Sequence, residues 1–240
     1  MKEYYHYFKK SYANDIDLCN EFFKEKIVEM TNRRHTSIRW HYWDPVKKEV
    51  AQQLNSKLEL FNDMSDCNLI IHHVNMFICK EHVIGGLHID SASWPRRCSI
   101  NLPLSGCEKS EMIWVRPDQF EVGMVDERNG ARAGFPIGAD INDDSQWDVV
   151  ETCNLGKTTL IKTDTWHTID NRNNDGPRVT LAFRLLGNPE YDWVYEQLDK
   201  KGLLPALSCA DCWRVLGRNR FCSCLHRTAS YDAGLRNCSY

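Results

Sequence analysis

His88-Ile89-Asp90 sets an imidazole and a carboxylate two residues apart. On an extended segment, residues i and i+2 share a face and lie about 6 to 7 Å apart at the backbone, so both side chains can converge on one metal ion. In a chain with nine histidines such a pair arises by accident and needs a third ligand. His167 supplies it, at the end of Leu160-Ile161-Lys162-Thr163-Asp164-Thr165-Trp166-His167, where a β run is expected to finish in the histidine just before a turn. Two imidazoles and one carboxylate on one face leave three adjacent positions of an octahedron open. That suits Fe(II), which must take an oxoacid and O₂ together; zinc is normally left with one open position. His88, Asp90 and His167 are therefore the candidate metal ligands and catalytic centre.

A turn-rich loop follows, Asn171-Arg172-Asn173-Asn174-Asp175-Gly176-Pro177, and then the strand Arg178-Val179-Thr180-Leu181-Ala182-Phe183-Arg184. This reads as a hairpin. With its centre near Arg172 and Asn173, paired residue numbers sum to about 345, which sets Arg178 opposite His167 and Arg184 opposite Ile161. Arg184 then stands six residues from His167, on the order of 20 Å along the strand, beyond the reach of a five-carbon diacid. The register selects Arg178 as the guanidinium that grips a distal carboxylate, with Thr180 adding a hydroxyl from the same strand face. Asn101, in Ser99-Ile100-Asn101-Leu102, is a further candidate hydrogen-bond donor to such a ligand.

The pattern His-Ile-Asp, a distal His, then Arg-Val-Thr resembles the Fe(II)/2-oxoglutarate-dependent dioxygenase superfamily over roughly residues 67 to 187. The resemblance implies a double-stranded β-helix (jelly-roll, cupin-like) core, mainly β with flanking helices. It implies His88, Asp90 and His167 as the facial triad and Arg178-x-Thr180 as the 2-oxoglutarate grip. Many members carry Ser where this chain has Thr180, which keeps the hydroxyl. The implied reaction is oxidative decarboxylation of 2-oxoglutarate to succinate, with O₂ as the second cosubstrate, coupled to hydroxylation of an unidentified substrate. The alternatives are a cupin-type mononuclear metalloenzyme that needs no distal grip, and a non-catalytic jelly-roll binding module.

The elements that must position these residues are legible as patterns. Ile16, Cys19, Phe22, Phe23, Ile27 and Met30 recur at helical spacing, and Asp44 before Pro45 signals a second helix running to about Phe61. Short β-rich runs then follow from Cys67 to Leu186, separated by Gly, Asn, Asp and Pro clusters, as in a sandwich or barrel. Between them, Arg116 to Trp147 has little periodicity and reads as a long lid or binding loop. A last helical segment spans Pro189 to Leu203.

The bulk properties narrow the class. Of 240 residues, 42% are hydrophobic and 26% charged, as in a globular domain, and the formal net charge of -3 offers no basic footprint for nucleic acid. The first fifteen residues lack an apolar h-region, so eleven cysteines are expected to sit in a reducing compartment, the cytoplasm, without a membrane partner. The expected division is a domain over 1–204 and a tail over 205–240, which has five Arg and five Cys but no Lys or Glu. Cys209-x-x-Cys212 and Cys222-x-Cys224-x-His226 give that tail a zinc-type spacing, set against a weakly ordered tail with reactive thiols. The substrate, a small molecule or a protein side chain, is not encoded in any motif.

Overall fold

A computed structural model describes residues 4–32, 37–41, 54, 56–90, 97–126, 132–138, 140 and 143–205, and among these described residues are eleven strands and three α-helices. The strands are β1 Tyr5–Tyr7, β2 Ser37–His41, β3 Ile71–Cys79, β4 Cys98–Ser105, β5 Glu111–Val115, β6 Val122–Asp126, β7 Arg132–Pro136, β8 Val149–Asn154, β9 Thr159–Lys162, β10 His167–Asp170 and β11 Arg178–Leu185. The helices are α1 Ala13–Thr31, α2 Glu59–Asp66 and α3 Tyr191–Lys200.

A six-stranded sheet in the order β1-β9-β4-β11-β3-β2 and a three-stranded sheet in the order β10-β5-β8 are both antiparallel. Neighbours in each sheet come from distant parts of the chain, and the chain crosses between sheets as it advances, which is the double-stranded β-helix expected of the sequence. Alternation along β11 shows how the large sheet is used. Val179, Leu181, Phe183 and Leu185 join the main core beneath the helices, while Arg178, Ala182 and Arg184 point the other way, into the space between the sheets. Cys19, Phe23 and Met30 of α1 and Val194 and Leu198 of α3 cover the first face. Asp15 in α1 accepts from the Glu59 and Leu60 amides (2.9 and 2.8 Å), so a carboxylate from one helix satisfies the open N-terminus of another.

Several expectations need correction. The helix expected to end near Phe61 lies largely outside the described residues, and Phe61 falls in the first turn of α2. His88 and Ile89 make isolated bridges, to His167 and Gly134, within a largely irregular segment. The stretch 116–147 contains its own hairpin, β6 with β7. The proposed hairpin between His167 and Arg184 does not form. β10 pairs with β5, with His167 opposite Trp114, whereas Arg178 lies opposite Cys79 of β3. Nor does the β run end in His167: β9 stops at Lys162 and the histidine opens β10. The Cys/Arg-rich tail lies outside the described residues from 206 onward. No helix of the described residues is long and apolar enough to cross a membrane.

Candidate metal centre and anion pocket

His88, Asp90 and His167 come together, each offering a ligand atom, and these atoms all lie within 4.8 Å of one another. Two backbone ladders bring this about. The amide of each histidine donates to the carbonyl of the other (3.1 and 3.0 Å), and the Asp90 amide donates to the Thr163 carbonyl (3.1 Å). The imidazoles are 4.5 Å apart between centroids. Both present the same nitrogen: His88 Nδ1 lies 2.8 Å from the Gly86 carbonyl and His167 Nδ1 2.8 Å from the Thr165 carbonyl. A carbonyl can only accept, so Nδ1 carries the proton and Nε2 keeps its lone pair, the tautomer that metal ligation requires. His88 Nε2 and Asp90 Oδ1 are 3.5 Å apart. Two donors at right angles around one divalent ion, each about 2.1 Å from it, would stand about 3 Å apart, so the pair is near its working separation. The donor set fits an iron-type ion.

The protonation states agree with that use. Burial, reinforced by His88, lowers His167 to about 4, so its imidazole is neutral at neutral pH. Burial alone would raise the Asp90 carboxyl, but the Arg184 guanidinium, His88 and His167 together outweigh it and hold the group well below the usual carboxylate range. Arg184 donates through one terminal nitrogen to Asp90 Oδ2, and through the other to the Cys98 carbonyl (3.3 Å) and Thr163 Oγ1 (3.2 Å). The sequence reading had set Arg184 far from the centre because it paired β11 with the wrong strand. Hydrogen-bonded to Asp90, Arg184 touches one of the three candidate ligands.

All three candidate ligands open onto a cavity of about 370 Å³ between the sheets. Arg178 and Asn101 line it, whereas Thr180 does not; its hydroxyl lies 3.4 Å from Cys107 Sγ, a thiol that also reaches the Val179 carbonyl. Asn101 Oδ1 accepts from Ser99 Oγ at 3.2 Å. Arg178 is 3% exposed, and its guanidinium has no hydrogen-bonding partner among the described residues. A buried charge without a partner costs several kcal/mol, so such a group is expected to meet an anion that enters the cavity.

The sequence reading missed two contributors. Gly134 of β7 exchanges both backbone hydrogen bonds with Ile89, the residue between two candidate ligands (2.9 and 3.0 Å), and its neighbour Phe135 forms part of the cavity wall. Arg132-Ala133-Gly134-Phe135-Pro136 shows no period-two alternation, so the sequence carried little signal for that strand. Trp114 and Trp166 are fully buried.

No family model matches this chain, and no curated protein matches it. Among solved structures, the epimerase SnoN in complex with Fe3+, alpha ketoglutarate and nogalamycin RO aligns at 15% identity over 75% of this chain and 77% of its own, with a TM-score of 0.48. HygX from Streptomyces hygroscopicus, with nickel and 2-oxoglutarate bound, aligns at 12% identity over 71% and 77%, TM-score 0.43. EctD from S. alaskensis aligns at 12% identity over 75% and 71%, TM-score 0.43. These are distant similarities of outline, and the reading of the site rests on its own geometry.

Proposed function

We propose that this chain is an Fe(II)- and 2-oxoglutarate-dependent oxygenase. One observation carries the reading: a buried Arg178, without a hydrogen-bonding partner among the described residues, opens onto the same cavity as a cluster of two histidines and one carboxylate. A metal hydrolase would use the cluster without needing the buried cation. A five-carbon diacid with a chelating end and a carboxylate end accounts for both.

In this reading His88 and His167 hold the iron through Nε2 and Asp90 through its carboxylate, while Arg178 grips the distal carboxylate of 2-oxoglutarate. Asn101 donates an amide hydrogen bond from the neighbouring strand, and Thr180 flanks Arg178 on β11. Once bound, the metal and cosubstrate supply the oxidising chemistry, decarboxylation to succinate and CO₂ coupled to oxidation of a second substrate, in the simplest case its hydroxylation. Ile84, Met112, Phe135 and Ile169 give the cavity an apolar wall that limits water and fits a small molecule, or an exposed side chain, presenting a carbon to be oxidised.

The test is direct. Wild-type protein with Fe(II) should convert 2-oxoglutarate to succinate, slowly without substrate and faster when the right compound pool is added, and Asp90→Ala should not. Metal-loaded protein that fails to bind 2-oxoglutarate at millimolar concentration would overturn the proposal.

A further inference from the structure

We propose that Arg184 is a positioning residue that confines Asp90 to ligation through a single oxygen. This rests on the metal centre proposed above but not on the identity of the cosubstrate.

Asp90 has two oxygens with different surroundings. Oδ1 faces the histidine cluster, 3.5 Å from His88 Nε2. Oδ2 accepts from Arg184, whose side chain is buried. The guanidinium cannot drift from that contact, because its other terminal nitrogen is tied to the Cys98 carbonyl of β4 and to Thr163 Oγ1 beyond β9. Thr163 secures both partners: its hydroxyl accepts from Arg184 and its carbonyl accepts from the Asp90 amide. The carboxylate is thereby fixed in orientation as well as in charge.

The orientation matters because a carboxylate can ligate through one oxygen or both. Chelation by Asp90 would use a fourth position of an octahedral ion and leave two for everything else. A guanidinium seated on Oδ2 competes with the ion for that oxygen. Ligation through Oδ1 alone keeps three positions clear, the number required by a bidentate oxoacid together with O₂. A salt bridge serving only to neutralise a buried carboxylate would have no such effect on the metal.

Counting the waters on a bound ion separates these roles. Mn(II), added alone, takes the place of iron, and broadening of its electron paramagnetic resonance lines in ¹⁷O-enriched water reports how many waters it carries. Wild-type protein should give about three and Arg184→Met about two, because the freed Oδ2 closes onto the ion. Arg184→Lys, which keeps a donor against Oδ2, should return the count to about three. Wild-type Mn(II) with two waters, or an Arg184→Met count equal to wild type, would overturn the proposal. The wild-type measurement decides even where a variant fails to fold. Mn(II) that does not bind at all would instead overturn the metal centre itself, and this proposal with it.

Discussion

Replacing Arg178 by Met removes the charge while keeping most of the side-chain volume, so the effects of charge and of cavity formation separate. The guanidinium is buried without a hydrogen-bonding partner among the described residues, so its loss should not destabilise the fold, and relief of an uncompensated charge should raise the melting temperature. Binding should move the opposite way. A charge-assisted hydrogen bond to a carboxylate contributes roughly 1.5 to 3 kcal/mol, or about a ten- to a hundredfold change in affinity. With 2-oxoglutarate at about 100 times its wild-type dissociation constant, the ligand stabilises wild type by about 2.7 kcal/mol. The same concentration would stabilise the variant by only about 0.4 to 1.4 kcal/mol. Differential scanning calorimetry with metal, with and without 2-oxoglutarate, measures both signs in one experiment. An Arg178→Met protein that melts lower than wild type without ligand, yet gains as much from 2-oxoglutarate, would refute the assignment of Arg178 to the distal carboxylate.

Three further outcomes follow from other parts of the site. His167→Ala should retain the fold and lose most of its Fe(II), read by metal analysis after dialysis, because one of three neutral or anionic donors is gone. Gly106→Ala should destabilise by about 1 to 3 kcal/mol and weaken 2-oxoglutarate binding. Gly106 has φ +61°, and an added Cβ would sit 2.3 Å from the Pro177 carbonyl oxygen, pressing on the residue that precedes Arg178; denaturant melts and a binding titration check both effects. For Asp170, burial would raise the carboxyl, but donation from the Arg172 side chain and amide outweighs it and lowers the group. The stabilisation is therefore complete above the ordinary carboxylate value near 3.9 and fades as pH falls through the lower folded value. Melting curves of wild type and Arg172→Ala should converge in acid and separate at higher pH, and a gap that widens in acid would contradict this sign.

The candidate ligands were legible in sequence because their signal lies in residue type and spacing: His88 and Asp90 share one segment two residues apart. Their long-range partners were not. Arg184 meets Asp90 across 94 positions, and the strand order β9-β4-β11, with Thr163 just past β9 bonded to both, brings them together. The failed hairpin has a definite cause. Asn171 and Asn174 look like turn residues, and they are, but they are buried: Asn171 donates to the Cys79 and Lys80 carbonyls and accepts from Ser110, while Asn174 donates to Ser110. Those bonds carry the chain from one sheet to the other, where a two-strand hairpin would have kept it in the same sheet. Composition distinguishes a turn from a strand, but it does not reveal which sheet the next strand will join. The β6–β7 hairpin escaped notice because its five-residue strands lie in a Gly- and Asp-rich stretch.

That hairpin bears on how the fold can be shortened. Gly134 satisfies both backbone groups of Ile89, so deleting residues 122–136 would strip two hydrogen bonds from the half-buried stretch that carries His88 and Asp90. Each orphaned group costs about 1 to 3 kcal/mol where water cannot replace the partner. A minimised design would therefore have to close the strand edge at Ile89 by some other means before it could hold a metal there. The hairpin is tied into the ligand-bearing edge, and the two parts are exchangeable only as a unit.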